Sequence, residues 1–273
     1  PLLTVCVLTY EHSETIEESL LSILAQETSF NFDVLVFDDA SSDGAADIIM
    51  DVARRYPGRL RYKLRDRNVG GGHNFLELVR QPRTKYIAYM EGDDYWTDNY
   101  KLEKQVNALE SDLELSLCFH DVMVTDNTSN HSQLFPGGTV LRFSSKDVLL
   151  KSWFCPTSSI MYRSSIIGLF PDDYGDSHPI NGDVFLLYLA STVGDLLRIP
   201  DCMGVYNYRS ASSSSAEIEI KLSADLEKIS NMLGTTFYIL KRATCKEYPL
   251  IFLKCMKLVV MLVFSGIKYF VKR

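Results

Sequence analysis

YIAYMEGDDYW, residues 86–96, is a run of apolar residues that leads directly into three carboxylates within four positions. The apolar part is too short for an ordinary helix and predicts a buried strand. Three negative side chains this close together repel each other, so we expect a cation to bind among them. A hard divalent metal prefers oxygen ligands, and one or two carboxylates together with the phosphates of a ligand commonly hold Mg²⁺.

A second strand ends in the same way earlier in the chain. The apolar residues 32–37, FDVLVF, are followed by DDASSDG at 38–44. In an open α/β sheet, ligands bind beyond the carboxyl ends of the strands. The two acidic strand ends therefore predict one shared site.

Strand and helix patterns alternate over the first part of the chain, to about residue 110, which is typical of a parallel sheet covered by helices. We predict strands at 2–9, 32–37, 60–64 and 85–90, and helices that begin at about His12 and then cover 47–56, 74–80 and 102–109. The fold class is therefore α/β, with a mixed, mostly parallel central sheet flanked by helices.

The pattern is less regular after Leu115. We predict strands at 115–124, 158–162, 196–199 and 203–208, helices at 146–153 and 183–190, and polar loops at 126–138 and 210–215. From Ala216 to about Ala243 the residues predict one long helix, which starts a C-terminal helical extension.

The overall charge argues against one class of partner. The chain has 273 residues and a net charge of −7, whereas binding to nucleic acid requires a basic surface. The charge is uneven, because the segment from Lys241 onward holds 8 of the 28 basic residues and one of the 35 acidic residues. The six cysteines contain no CxxC pair, so we expect reduced thiols rather than a disulfide framework or a zinc site.

The C-terminal segment 246–273 combines lysines with apolar residues. Its longest uncharged run is Leu258–Ile267, whereas a membrane-spanning helix needs about 20 apolar residues. At 100° per residue the lysines fall in one sector of a helical wheel, which predicts a helix in the interface of an anionic membrane. A helix packed on the body with solvated lysines, and a spanning helix, remain alternatives.

Four motifs in order carry a resemblance to a known family. They are VLTY at 7–10, FDDASSDG at 37–44, RNVG at 67–70 and EGDDYW at 91–96. Over about residues 3–210 the chain resembles inverting family 2 glycosyltransferases with the GT-A fold, of the bacterial surface-polysaccharide type. The resemblance implies a GT-A catalytic domain at 1–214, and the charge and helical pattern of the remainder predict a helical, basic, membrane-associating extension at 215–273. Within the domain, 1–110 would form the nucleotide-sugar half and 111–214 the acceptor half.

The resemblance implies a UDP-sugar lying across the strand ends. The residues expected to bind it are Thr9, Glu11, Asp38, Asp39, Arg67, Asn68, Glu91, Gly92 and Asp93. Asp39 would accept a hydrogen bond from the base, and Asp93 would coordinate Mn²⁺ or Mg²⁺ between the two phosphates. Glu91 would reach the ribose or a metal-bound water, and Asp94 would brace the loop. The alternative for Asp38 and Asp39 is that they cap the following turn and helix.

Direct displacement at the anomeric carbon also requires a base that takes the acceptor's proton. By the resemblance this base is Asp183, with Asp176 as the second choice; an N-terminal helix carboxylate that faces the helix dipole is the alternative for Asp183. The acceptor side would include Tyr95, Trp96, Trp153 and Thr157, although buried packing is the alternative for the aromatic residues.

One feature departs from the family pattern. Relatives often carry a metal-binding histidine shortly after a Tyr-Arg pair, whereas Tyr208-Arg209 is followed here by Ser-Ala-Ser. The five histidines elsewhere show no spacing typical of metal ligands.

These observations predict a metal-dependent inverting glycosyltransferase that uses a UDP-sugar. It would add the sugar to a lipid-linked glycan in O-antigen or capsule synthesis. It would lie in the cytoplasm, attached peripherally to the inner face of the cell membrane. A catalytically degenerate glycan-binding or scaffold protein is the alternative. A receiver-like phosphoacceptor domain would also gather carboxylates at strand ends, but such a domain is too short for this chain.

Overall fold

The structure is a computed structural model that describes residues 1–126, 131–151, 154–174, 182–208, 223–243 and 246–258. The strands are β1 Leu3–Thr9, β2 Phe32–Asp38, β3 Leu60–Leu64, β4 Tyr86–Glu91, β5 Tyr95–Trp96, β6 Leu115–Asp126, β7 His131–Phe135, β8 Arg142–Phe143, β9 Met161–Arg163 and β10 Asp195–Tyr208. The helices are α1 Ile16–Leu24, α2 Ala45–Arg55, α3 Gly71–Arg80, α4 Lys101–Ser111, α5 Ser145–Leu150, α6 Gly182–Val193, α7 Ser223–Leu240 and α8 248–258. Two short 3₁₀ helices cover Thr157–Ser159 and Ser164–Leu169.

All the described strands join one sheet in the order β3-β2-β1-β4-β9-β6-β10-β5, with β7 beside β6 and β8 beside β10. β1 pairs in parallel with β2 and β4, and β2 pairs in parallel with β3. β9 runs antiparallel between β4 and β6 and joins the two halves of the sheet. This arrangement confirms the predicted α/β class with helices on both faces.

The sheet is buried on both faces because its central strands are mostly apolar. In β1, Val5 and Val7 pack with α1, α2 and α4, whereas Cys6 points to the other face and packs with α3 and α6. Side chains of a strand alternate between the faces of a sheet, so one short apolar strand contributes to both cores.

The second half of the sheet differs from the expectation in several places. The strand predicted at 158–162 is a 3₁₀ turn at Thr157–Ser159 followed by the short strand β9. The predicted polar loop 126–138 contains β7, which pairs with β6. The strands expected at 196–199 and 203–208 form one strand, β10, whose pairing with β6 is interrupted by register shifts. The two-residue strands β5 and β8 were not predicted, because their pairing with β10 is set by residues far away in the sequence.

A buried ion pair connects β6 and β10. The guanidinium of Arg198 donates to both carboxylate oxygens of Asp121 at 2.6 and 2.5 Å, and both side chains are almost fully buried. A bidentate pair of this kind has a defined geometry and is costly to break from one side.

The C-terminal helices pack on the body rather than standing apart from it. Tyr238 and Ile239 of α7 and Ile251 of α8 belong to the same apolar core as α6. The Tyr238 hydroxyl donates to Asp173 at 2.9 Å, and Arg242 donates to the same carboxylate at 2.7 Å. The expected domain boundary at 214/215 lies outside the described residues.

The prediction that the lysines of the tail share one exposed sector, available to anionic head groups or solvent, is wrong for Lys254. Its side chain is 5% exposed, its ammonium donates to the backbone oxygen of Lys151 at 3.4 Å, and burial lowers its pKa to about 8. The exposed face of α8 is instead apolar, with Phe252, Leu253 and Met256. Lys268 and Lys272 lie outside the described residues. Within the described part of the chain, every helix is too short or too polar to cross a bilayer.

Candidate functional site

The carboxyl ends of β1, β2 and β4 lie at one edge of the sheet. Thr9 is level with Asp38 on β2, and Leu8 is level with Glu91 on β4. Parallel pairing therefore brings the two acidic segments together, as the sequence predicted.

Asp38 and Asp39 are both buried and both bind backbone N–H groups. Asp38 accepts hydrogen bonds from the N–H of Ser41 at 3.0 Å and from its hydroxyl at 2.5 Å. Asp39 accepts hydrogen bonds from the N–H groups of Val69 at 2.9 Å and Gly70 at 3.0 Å. Asp38 thus closes the turn after β2, as the capping alternative expected, and Asp39 fastens the loop before α3 to the end of β2.

Two residues at this edge have a left-handed backbone although neither is glycine. They are Glu11 with φ 57° and Ala40 with φ 65°. The Glu11 carboxylate accepts hydrogen bonds from the N–H of Ser42 at 2.8 Å and from its hydroxyl at 3.0 Å, while the Glu11 N–H donates to Ser41 at 2.8 Å. Such conformations cost free energy and concentrate at functional sites, because the surrounding contacts must hold them.

The structure places the predicted Arg67 and Asn68 on the exposed loop after β3. The more enclosed basic residue is Arg65, which was not predicted. It donates to Asn74 at 2.7 Å and to Glu77 at 2.6 Å, and it lies 3.8 Å from the Asp39 carboxylate. Its position directly after β3 was the available signal, since a charge at a strand end in this fold faces the ligand edge.

The loop after β4 concentrates negative charge in a buried place. Burial, followed by the charges of Asp93, Asp94 and Asp183, raises the pKa of Glu91 well above its usual range. Burial and the charge of Asp93 likewise raise the pKa of Asp94. Asp94 accepts a hydrogen bond from the N–H of Asn207 at 2.9 Å, and the Asn207 amide donates to the backbone oxygen of Asp93 at 2.6 Å. Asp94 therefore braces this loop against β10, as expected.

Asp183 lies in the first turn of α6 and is half-buried. Its carboxylate accepts a hydrogen bond from the N–H of Val184 at 2.7 Å. Burial is the main cause of the raised pKa values of Glu91 and Tyr174, and the negative charge of Asp183 raises both further. A Cβ on Gly182 would lie 2.6 Å from the Tyr174 hydroxyl, so a side chain before this aspartate would displace Tyr174. The fold thus brings Asp183 within electrostatic reach of the acidic loop. Asp176 and Trp153 lie outside the described residues.

The aromatic residues expected on the acceptor side differ in their exposure to solvent. Trp96 lies in the core: its side chain is 5% exposed, its indole N–H donates to the backbone oxygen of Ser158 at 2.9 Å, and the Lys101 ammonium lies 3.6 Å from its ring centroid. A sugar ring has no access to it, which corrects the expectation for Trp96. Tyr95 and Thr157 are half-buried. Adjacent residues on a strand face opposite sides, so Tyr95 and Trp96 have different surroundings.

His12 also lies at this site, although its sequence context did not single it out. Its Nε2 is 3.8 Å from the Asp93 carboxylate, and its Nδ1 is 3.1 Å from the Thr9 hydroxyl. A Cβ on Gly92 would lie 2.6 Å from the Thr9 hydroxyl oxygen and 2.8 Å from His12 Nδ1, so any side chain at the middle position of Glu91–Asp93 would displace Thr9 or His12. The spacing between residues 12 and 93 follows from the parallel pairing of β1 and β4 and has no local signature.

The donor groups fit a hard divalent cation. Within the described residues no three His, Cys, Asp or Glu side chains are arranged to hold a metal by themselves. One or two carboxylates completed by the phosphates of a ligand and by water are a common way to bind Mg²⁺, and the buried acidic loop offers such carboxylates. The mutual repulsion among Glu91, Asp93 and Asp94 is the feature that a cation would relieve.

Curated relatives of this chain occur in several bacteria. The chain is 36% identical over 204 residues to uncharacterized proteins of Mycobacterium tuberculosis and Mycobacterium bovis, which covers 75% of this chain and 58% of theirs. It thus spans less than two thirds of the length of these relatives. It is also 26% identical over 129 residues to a putative teichuronic acid biosynthesis glycosyltransferase of Bacillus subtilis, which covers 47% of this chain and 50% of that protein.

Solved structures share the fold at low sequence identity. A mannosyltransferase from Pyrobaculum calidifontis, in complex with GDP-Man and Mn²⁺, superposes with a TM-score of 0.68 and 17% identity, covering 97% of this chain and 73% of that one. S. aureus TarS 1–349 in complex with UDP superposes with a TM-score of 0.60 and 16% identity, covering 99% and 92% of the two chains.

The family match covers the strand ends described above. Residues 4–169 match the family described as Glycosyl transferase family 2, and this range includes both acidic segments and the β9 strand that joins the halves of the sheet. With the GT-A-like sheet, this match over more than half of its length shows that the chain belongs to glycosyl transferase family 2.

Proposed function

We propose that this chain is a metal-dependent inverting glycosyltransferase that moves a sugar from a UDP-sugar to a glycan acceptor. The observation that carries the proposal is the position of Glu91 and Asp93 at the carboxyl edge of a parallel sheet, where the charge of Asp183 acts on Glu91. Family membership supports the reaction class, and the carboxylates supply the groups that this chemistry requires.

The nucleotide would lie between the ends of β1, β2 and the loop before α3. The Asp39 carboxylate already accepts two backbone hydrogen bonds, and a carboxylate has about four lone-pair sites, so it retains acceptor capacity for an N–H of the base. The loop that Asp39 fastens includes Asn68 and Gly70, whose position it thereby sets against the donor.

Asp93 would hold Mn²⁺ or Mg²⁺ together with the phosphates of the donor. When bound, such an ion neutralises the diphosphate as it leaves. The contact between Asn207 and the backbone of Asp93, and the contact of Asp94 with the same strand, hold this carboxylate in place before the donor arrives.

Asp183 is the proposed base. The Val184 N–H fixes one of its carboxylate oxygens at the start of α6, where the positive end of the helix dipole favours the ionised form. The carboxylate would take the proton of the acceptor hydroxyl as that oxygen attacks the anomeric carbon. A single displacement inverts the configuration at that carbon.

We further propose that the acceptor is lipid-linked, that the product enters a surface polysaccharide, and that the chain attaches peripherally to the inner face of the cell membrane. The exposed apolar side chains Phe252, Leu253 and Met256 on α8 support this, because a soluble surface rarely leaves three neighbouring large apolar residues in water. Lys257 beside them is exposed and suits anionic head groups.

Thermal unfolding with UDP or GDP, each with Mn²⁺ or with a chelator, tests the donor site. We expect a nucleoside diphosphate to raise the melting temperature only when the metal is present, and a panel of nucleotide sugars to show turnover. Asp93→Ala should abolish turnover. Asp183→Asn should lower kcat by about 10²- to 10⁴-fold, the usual contribution of a general base, and should leave donor binding intact.

Asp172→Asn is a matched control, since it removes a fully exposed carboxylate. Unchanged turnover in Asp183→Asn would remove Asp183 as the base. Absence of any stabilisation by either nucleotide with Mn²⁺ or Mg²⁺ would refute the proposed function.

Membrane attachment is tested by flotation with liposomes that contain anionic lipid. Deletion from Lys241 would also remove Ile251 and Leu258 from the core, so substitutions on the exposed face are the cleaner change. Phe252→Glu with Leu253→Glu should abolish flotation without loss of folding. Flotation at the level of the unchanged protein would contradict the membrane proposal.

A further inference from the structure

We propose that His12 is a second protein ligand of the divalent cation held by Asp93, through its Nε2 atom. This inference rests on the proposed function, because it assigns a residue to the cation site of that function. It adds a nitrogen ligand from the segment between β1 and α1 to the carboxylate ligand from the loop after β4.

The first support is the separation between the two side chains. His12 Nε2 and the nearer Asp93 oxygen are 3.8 Å apart, and both side chains are largely enclosed, at 11% and 7% exposure. With metal–ligand bonds of about 2.1 Å, two donors on one octahedral ion are about 3.0 Å apart when adjacent and about 4.2 Å apart when opposite. The observed separation lies between these values, so one ion reaches both atoms after sub-ångström movement.

The second support is that the ring is already oriented. Nδ1 of His12 is 3.1 Å from the Thr9 hydroxyl oxygen. The backbone oxygen of His12 accepts hydrogen bonds from the N–H groups of Thr15 and Ile16 at the start of α1. A metal-binding histidine usually donates its other ring N–H to an oxygen, which selects the tautomer and the ring orientation. With Nδ1–H donated to Thr9, the lone pair of Nε2 is directed at Asp93.

The third support is the absence of space around the contact. A Cβ on Gly92 would lie 2.8 Å from His12 Nδ1, and the hydroxyl of Thr15 donates to the backbone oxygen of Gly92 at 2.9 Å. The imidazole is therefore packed directly against the loop that carries Asp93. The remaining ligands would be phosphate oxygens and water, because the described residues contain no third His, Cys, Asp or Glu arranged with this pair.

A simpler role for His12 is a direct hydrogen bond from Nε2–H to Asp93 with no bond to the metal. Both roles would lower activity when His12 is replaced, so activity cannot separate them. A spectroscopic measurement on bound Mn²⁺ can, because a directly bonded nitrogen produces a hyperfine coupling that a hydrogen-bonded one does not.

The experiment is pulsed electron paramagnetic resonance on the full chain with Mn²⁺ and UDP. We expect a directly bonded nitrogen coupling, which changes to the ¹⁵N pattern when the protein carries ¹⁵N-histidine; this labelling excludes the nitrogens of uracil. His12→Gln should remove the coupling and weaken Mn²⁺ binding in the presence of UDP by at least about tenfold. His73→Gln, which removes an exposed imidazole in α3, should keep both.

The outcomes are separable. A sample that binds Mn²⁺ and UDP but shows no histidine nitrogen coupling overturns the inference and leaves the proposed function intact, as does a coupling that persists in His12→Gln. A protein that binds neither Mn²⁺ nor UDP overturns both. Should His12→Gln fail to fold, Thr9→Val keeps the imidazole and removes its hydrogen-bond partner at Nδ1. A nitrogen coupling from labelled histidine together with weaker Mn²⁺ binding in that variant would support the inference, and bound Mn²⁺ without a histidine coupling would overturn it.

Discussion

Gly92→Ala is the substitution whose effect follows most directly from the structure. The new Cβ would lie 2.6 Å from the Thr9 hydroxyl oxygen, 2.8 Å from His12 Nδ1 and 2.9 Å from the Thr9 Cβ. Carbon atoms do not approach other heavy atoms this closely, so the end of β1 or the loop after β4 must move. Rotation of the Thr9 side chain would relieve one contact but would break its hydrogen bond to His12.

Overpacking by one methyl group in an enclosed site typically costs about 1–3 kcal/mol of unfolding free energy. In a chain of this size each kcal/mol lowers the melting temperature by about 2–4 °C. We therefore expect Gly92→Ala to lower the melting temperature by about 2–12 °C and to weaken Mn²⁺–UDP binding, since the loop carries Asp93. Urea and thermal unfolding, with and without Mn²⁺ and UDP, measure both effects.

Gly168→Ala is the matched control, because no heavy atom lies within 4 Å of its Cβ position and its backbone is not left-handed. It should change stability by no more than about 0.5 kcal/mol. In a double-mutant cycle, Thr9→Ala should recover part of the Gly92→Ala loss, with a coupling energy above about 0.5 kcal/mol. Equal stability of Gly92→Ala and Gly168→Ala, with unchanged ligand binding, would refute the steric reasoning.

Three further predictions concern buried charges. Asp121→Ala leaves the buried guanidinium of Arg198 uncompensated and should lower the unfolding free energy by about 3–5 kcal/mol, measured by urea unfolding; a loss below 1 kcal/mol would contradict it. Burial holds the pKa of Lys101 well below its usual value, so the unfolded chain binds more protons between that pKa and about 10.4, and stability should rise with pH in this window. Lys101→Met should abolish that rise. Burial and neighbouring carboxylates raise the pKa of Glu91, so the folded chain binds more protons above about pH 4.3 and loses stability as pH rises through the raised value. Mn²⁺ should therefore raise the melting temperature more at pH 8 than at pH 5, and an equal effect at both would refute the electrostatic explanation.

The C-terminal segment shows how a local pattern can mislead. A helical wheel assigns the lysines of 246–273 to one solvated sector, and Lys246 and Lys257 are exposed as that pattern requires. The Lys254 side chain is instead buried, and its ammonium donates to the backbone oxygen of Lys151, while Phe252 and Leu253 are exposed to solvent. The wheel gives relative directions around a helix, but the surface against which the helix packs decides which direction is buried.

Tyr95 and Trp96 show the same limit at the site. Both were expected on the acceptor side from the family resemblance. Their strand pairs with β10, more than 100 residues later, and this pairing turns Trp96 into the core beside Lys101. Nothing within the segment 91–96 distinguishes the two rings.

The amino-acid sequence by itself determined the class of the fold and the acidic ends of β2 and β4, because short apolar strands and helical periods are local properties. It also predicted that these ends lie together, because parallel strands place their carboxyl ends at one edge of the sheet. Only the tertiary structure decided that His12 lies beside Asp93, that Arg65 lies 3.8 Å from Asp39 while Arg67 is exposed, and that the charge of Asp183 acts on Glu91. These contacts join residues from different strands and helices, and their distances depend on sheet register and helix packing, which many residues set jointly and no short segment encodes.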